Sequence, residues 1–200
     1  MAPEYDLHDA SGARKYLTAD ERERFAGAID DALDGPRDRD KRTLAQLYYL
    51  TGCRRNEALA VRYRDVDYSE GGVRLRTLKR RRVVFRFVPL PEAFLTRLDD
   101  VHRVRDEQLP LVKARPDDPV WAFDKTTAWR TVKRVMAAAS LRGPHATTKG
   151  LRHGFVIAHM LAGTPEHMIA RWAGWSSTAM MAVYGRAVGA EERELAARLW

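Results

Sequence analysis

A chain of 200 residues, 45% hydrophobic and 31% charged, has the length for one globular domain with its own core. Its net charge of +8 favours a polyanionic partner, and its single cysteine, Cys53, excludes an intramolecular disulfide or a thiolate metal cluster and suits the cytoplasm. No apolar stretch approaches the ~20 residues of a membrane span, MAPEYDLHDA is unlike a secretory signal, and the six histidines lack ligand spacing, so no metal or other cofactor is expected.

Residues 1–16 read as a tail. Thr18-Ala19-Asp20-Glu21 is a capping box that predicts a helix to about Leu33, with Phe25, Ile29, Ala32 and Leu33 as its apolar stripe. A second helix is expected over 40–51, capped by Gly52, and a short one near 55–62. From Val73 to Val88 the period changes to two, which predicts a hairpin turning around residues 79–82. Pro89 and Pro91 stop it, and a long helix is expected to about Gln108. Residues 109–119 read as a loop and as the internal seam, if there is one. Helices follow at 126–140, 148–162, 165–173 and 177–185, with Thr164 as N-cap before Pro165, and Ser177 capping the fourth. A last amphipathic helix spans 190–200. The predicted class is mainly α with a small antiparallel β-sheet.

A few residues carry chemistry in the right combination. Arg54 and Arg152 are planar forks suited to a phosphate, Lys79 sits at the hairpin turn, and Tyr184 offers a phenol. Lysine is scarce in this chain, seven residues of the 35 basic ones, so its position on the turn carries weight. Between Gly71 and Pro91 there are Arg74, Arg76, Lys79, Arg80, Arg81, Arg82 and Arg86 and no acid, a basic stretch that fits phosphate contacts or a solvated turn.

Thr51-Gly52-Cys53-Arg54-Arg55-Asn56-Glu57, Lys149-Gly150-Leu151-Arg152-His153, Gly174-Trp175-Ser176-Ser177 and Tyr184 follow one another as the boxes of one family do. In that order the chain resembles the tyrosine recombinase (phage integrase) family over about residues 17–187. Lysine stands at position 149 and tryptophan at 175 where most relatives have histidine. His145, four residues earlier, is an alternative imidazole.

The resemblance implies the recombinase catalytic-domain fold and a site-specific recombinase that cuts and rejoins double-stranded DNA without metal, ATP or cofactor. Tyr184 would form a 3′-phosphotyrosyl link, Arg54 and Arg152 would bind the phosphate oxygens as charge builds, and Lys79 would protonate the leaving 5′ oxygen. Glu57, one turn from Arg54, would orient it. Lys149 would act as an electrostatic contact or, with a lowered pKa, as a base. Trp175 can donate one N–H to a phosphate oxygen but cannot shuttle protons. His153 reads as a supporting hydrogen-bonder, and Arg74, Arg76, Arg80, Arg81 and Arg82 as DNA contacts.

The implied organisation is a tail over 1–16, a catalytic domain over 17–187 and a C-terminal helix over 188–200 exchanged between protomers, with no N-terminal core-binding domain. The chain is then a minimal recombinase or a fragment. It would be a monomer in free solution and a homotetramer on paired sites, cytoplasmic and associated with the nucleoid, with no membrane partner. The competing reading is a non-catalytic DNA-binding regulator that retains the fold.

Overall fold

The Thr18 hydroxyl accepts the Glu21 N–H at 3.3 Å while the Glu21 carboxylate accepts the Thr18 N–H at 2.9 Å. That reciprocal box starts α1, Ala19–Ala32. The computed structural model describes residues 7–77, 83–105 and 116–185, together with Arg193, Ala196 and Ala197. Helix α2, Arg39–Thr51, ends at Gly52, whose φ of 55° is the left-handed conformation that closes a helix. Helix α3 is a single turn, Arg55–Ala58, shorter than the expected 55–62. The reason lies in its partner segment: the Val61 carbonyl accepts the Val120 N–H at 3.0 Å, and Arg62 bridges to Pro119.

The expected hairpin is part of a three-stranded antiparallel sheet in the order β1 (Val66–Asp67), β2 (Gly72–Thr77), β3 (Val84–Pro89). Val73, Leu75 and Thr77 are buried, and cross-strand partners share a face. Since Leu75 pairs with Arg86, the register turns Arg86 inward and leaves Phe85 half exposed. Arg86, counted with the basic stretch by its charge, is buried while Arg74 and Arg76 stay exposed. Residues 78–82, including Lys79, Arg80, Arg81 and Arg82, lie outside the described residues.

Helix α4 is Glu92–His102 rather than reaching Gln108. Arg103 turns left-handed, φ 55°, and interrupts the helix there; residues 104–105 are helical again, with the Asp99 carboxylate accepting the Arg105 N–H at 2.8 Å. Helix α5 (Lys125–Ala138) starts on an Asp124 cap, and α6 (Thr148–Leu161) on Thr147, whose hydroxyl accepts the Gly150 N–H at 3.1 Å. Helix α7 is Glu166–Ala173, with Pro165 itself at the cap. The expected cap, Thr164, instead pairs its hydroxyl with His159 Nδ1 at 3.1 Å. A 3₁₀ turn, Thr178–Met180, leads into α8, Met181–Tyr184. Ser177 precedes it without a side-chain capping bond, so its expected capping role is not met. The predicted helix over 190–200 falls almost wholly outside the described residues.

The main core joins Phe25, Leu44, Leu75 and Leu98 to Trp121, Val135 and Leu151. It takes in residues on both sides of 109–119, so the described core is not divided there. A second apolar cluster joins Phe155, Val156, Ile169, Met181 and Tyr184 to Leu7 and Tyr16, both 2% exposed. Residues 7–16 are thus packed rather than a loose tail, because Leu7 and Tyr16 supply apolar surface that the end of the chain needs. The result is a mainly helical fold with one small antiparallel sheet.

Candidate active site

Glu57 is fully buried on the single turn of α3, and both of its oxygens are used. Oε1 accepts from Arg54 Nη1 at 2.9 Å, while Oε2 accepts the Arg54 backbone N–H at 3.0 Å and Arg86 Nη2 at 2.6 Å. Burial by itself would raise the Glu57 pKa, yet Arg86 and then Arg54 hold it below the usual carboxylate range. Arg54 is thereby fixed at the helix start with its guanidinium one-fifth exposed.

Arg152 enters from α6. Its guanidinium is buried and donates to two backbone carbonyls, Gly52 at 2.9 Å and Ala173. Burial, and then the neighbouring charge of Arg54, push its pKa down to about 10, so it stays charged at neutral pH. The next residue, His153, places Nδ1 2.7 Å from the Tyr184 hydroxyl. The Trp175 ring lies 5.3 Å from the Tyr184 ring at 34° and 6.0 Å from the Arg152 guanidinium carbon. Its indole Nε1 is buried and has no hydrogen-bond partner among the described residues. Such a donor is costly unless something accepts from it.

The structure thus brings Arg54, Glu57, Arg152, His153, Trp175 and Tyr184 into one cluster from three separated stretches of chain. Lys149 is exposed in the first turn of α6, and its charge is among the influences that depress the His153 pKa. Lys79 is not described, but Thr77, two residues before it, reaches the cluster through Arg86. Arg74 and Arg76 point outward from β2, Arg74 in an ion pair with Asp67. His145 does not join: its ring faces Glu21, with Nε2 3.4 Å from Oε1. An open groove of about 330 Å³ runs past the cluster between Thr77, Phe85, Trp175 and Ser177.

Arg86 is the member that sequence reasoning missed. The available signal was a lone charge inside Val84-Phe85-Arg86-Phe87-Val88, a run that otherwise belongs in a protein interior. The Gly52 and Ala173 carbonyls that hold Arg152 left no sequence signal at all.

Comparison with solved structures places this arrangement in a known fold. The chain is similar to XerA recombinase, with 22% identity over 92% of this chain and 62% of that one, TM-score 0.71. It is similar to the XerH site-specific recombinase bound to palindromic difH substrate in a post-cleavage complex, with 20% identity over 100% of this chain and 58% of that one, TM-score 0.74. A lambda integrase dimer bound to a COC′ core site matches with 18% identity, 88% and 50% coverage and TM-score 0.57. The chain therefore spans about three fifths of the length of the two Xer recombinases. Sequence comparison with curated proteins finds no match. The phage integrase family profile matches residues 15–190, most of the chain and every box of the cluster, and the chain belongs to that family.

Proposed function

We propose that this chain is a site-specific DNA recombinase that breaks and rejoins strands through a 3′-phosphotyrosyl intermediate. The observation that carries the reading is the convergence of two arginines, an indole N–H and a phenol on one spot. Tyr184 Oη gives up its proton to water and attacks the scissile phosphorus, the bond to the 5′ oxygen breaks, and that oxygen leaves as a hydroxyl after taking a proton from Lys79. Arg54 and Arg152 neutralise the charge that grows on the non-bridging oxygens. Trp175 Nε1 supplies a further donor. One ester replaces another, so the step needs no ATP.

The DNA contacts in this reading come from Arg74 and Arg76 on β2 and from Arg80, Arg81 and Arg82 beyond it. Each neutralised phosphate makes binding steeper in salt. A monomer in free solution assembles as a homotetramer on paired sites. XerH and lambda integrase have been solved bound to their DNA sites, the latter as a dimer.

The test is covalent capture. The full chain is incubated with nicked duplexes whose arms are randomised, and adducts are recovered from denaturing gels and sequenced. A DNA adduct that disappears in Tyr184→Phe supports the proposal. Binding without any adduct overturns it and leaves the DNA-binding regulator.

A further inference from the structure

Arg86 makes three side-chain polar contacts, and they reach three separate parts of the cluster. Its side chain is only 4% exposed. Nη2 donates to Glu57 Oε2 at 2.6 Å, Nη1 to Thr77 Oγ1 at 3.0 Å and Nε to the Trp172 carbonyl at 2.7 Å. Gly174 packs against it so closely that a Cβ there would sit 2.9 Å from Nη1. From one guanidinium, the contacts reach the carboxylate that holds Arg54, the last residue of β2, and the end of α7 just before Trp175.

We propose that Arg86 is a positioning residue for strand cleavage, setting Arg54 through Glu57 and the base of the β2–β3 hairpin through Thr77. The inference rests on the recombinase reading above. Arg86 lines the groove with only 4% of its side chain exposed and its donors taken by Glu57, Thr77 and the Trp172 carbonyl, so it acts through those groups.

Two arguments separate this role from that of a core ion pair. A buried pair adds little net stability over apolar packing of the same volume, so what it contributes is geometry. The geometry also needs a planar fork: three acceptors lie in three directions, and a lysine ammonium on a single flexible stem cannot reach them in the same arrangement. Charge stabilisation is sensitive to such placement, since a shift of ~1 Å at a reacting group costs on the order of 100-fold.

The test uses the duplex recovered by covalent capture, prepared in two forms. One has a normal scissile phosphodiester; in the other a methyl group replaces one non-bridging oxygen, which removes the negative charge that Arg54 answers. Single-turnover cleavage is measured for wild type, Arg86→Lys, Arg86→Gln and Thr77→Val, at a temperature where circular dichroism finds each folded. Arg86→Lys and Arg86→Gln are expected to bind DNA within about 3-fold of wild type and to cleave the phosphodiester ~10- to 100-fold more slowly. That deficit should shrink several-fold on the uncharged substrate. Thr77→Val, which deletes one contact and keeps the ion pair, should show a smaller loss with the same substrate dependence, and it carries the test if the Arg86 variants do not fold.

Variants with a lowered melting temperature but wild-type cleavage per folded molecule overturn the inference. So does a deficit of equal size on both substrates, which marks a structural role only. A wild-type chain that forms no adduct on any duplex overturns the recombinase reading first and this inference with it.

Discussion

The hydroxyl of Tyr184 lies 2.7 Å from Nδ1 of His153, and both side chains are 2% exposed. The other imidazole nitrogen, Nε2, has no partner among the described residues. Burial, and then the charges of Lys149 and Arg152, push the His153 pKa down to about 3. The imidazole is therefore neutral at physiological pH and a poor proton acceptor. In the proposed mechanism it would hold the phenol in place rather than ionise it, and the cationic help that phenolate formation requires would come from Arg152.

Replacing Tyr184 by Phe removes the oxygen proposed to attack and leaves the ring between Trp175 and the second apolar cluster. Covalent attachment to DNA should be abolished while the dissociation constant stays within a factor of about two. The variant also strands His153 Nδ1, so thermal unfolding should report a loss of ~1–2 kcal/mol. An adduct formed by Tyr184→Phe on a denaturing gel would remove Tyr184 from the mechanism.

Stability should fall as the solution is acidified below neutrality. The folded pKa of His153, about 3, lies below the ordinary value of 6.5. The unfolded chain therefore takes up a proton that the folded chain refuses. This contribution is fully present above pH ~6.5 and is lost progressively as pH falls toward 3. Through this residue the chain should lose on the order of 2 kcal/mol between pH 7 and pH 5. Denaturant titrations of wild type and His153→Gln at the two pH values measure it as a difference in slope. His102, His145 and His159, also depressed, are common to both proteins. Parallel slopes would contradict the assignment.

Arg54 and Arg152 should separate when each is changed to Ala. Both variants should lose at least ~100-fold in cleavage, the scale of one charge-stabilising group. Arg54→Ala leaves Glu57 paired with Arg86, so its folding should change little. Arg152→Ala abandons the Gly52 and Ala173 carbonyls in the interior and should cost a further ~2–4 kcal/mol of stability. Cleavage rates set beside melting curves decide this. If Arg54→Ala is the less stable variant, the Glu57–Arg86 pair is not self-sufficient.

Gly174→Ala tests the packing between α7 and β3. The position has φ +70°, and the added methyl would meet Arg86 at 2.9 Å. Backbone strain and the crowded guanidinium together should cost ~1–3 kcal/mol. Thermal melting reads the loss, and a melting temperature equal to wild type would mean that Arg86 moves aside freely.

Much of this protein was legible in its residues. Caps such as Thr18–Glu21, the glycines at 52 and 174, and the period-two run from Val73 are local signals, so α1, α2, the hairpin and most helix starts follow from nearby residues alone. The boxes around Arg54, Arg152, Trp175 and Tyr184 identified the family because each is a short contiguous motif. Local patterns failed where a distant segment competed for the backbone. Residues 116–120 draw the chain away from helix after α3. Leu7 and Tyr16 are packed rather than loose because the second apolar cluster, far away in sequence, accepts them.

The sequence by itself determined which chemical groups are available and in what order, because a side chain's acidity, shape and charge belong to the residue. Only the tertiary structure decided which of them meet. Arg86 looked like one of seven basic residues on a hairpin until strand register set it opposite Leu75 and turned it toward Glu57 and the Trp172 carbonyl. His153 looked like a neighbour of Arg152 until α8 brought Tyr184 to its ring. Strand register and helix packing sum many weak contacts over residues far apart in the chain, so no short stretch of sequence contains them.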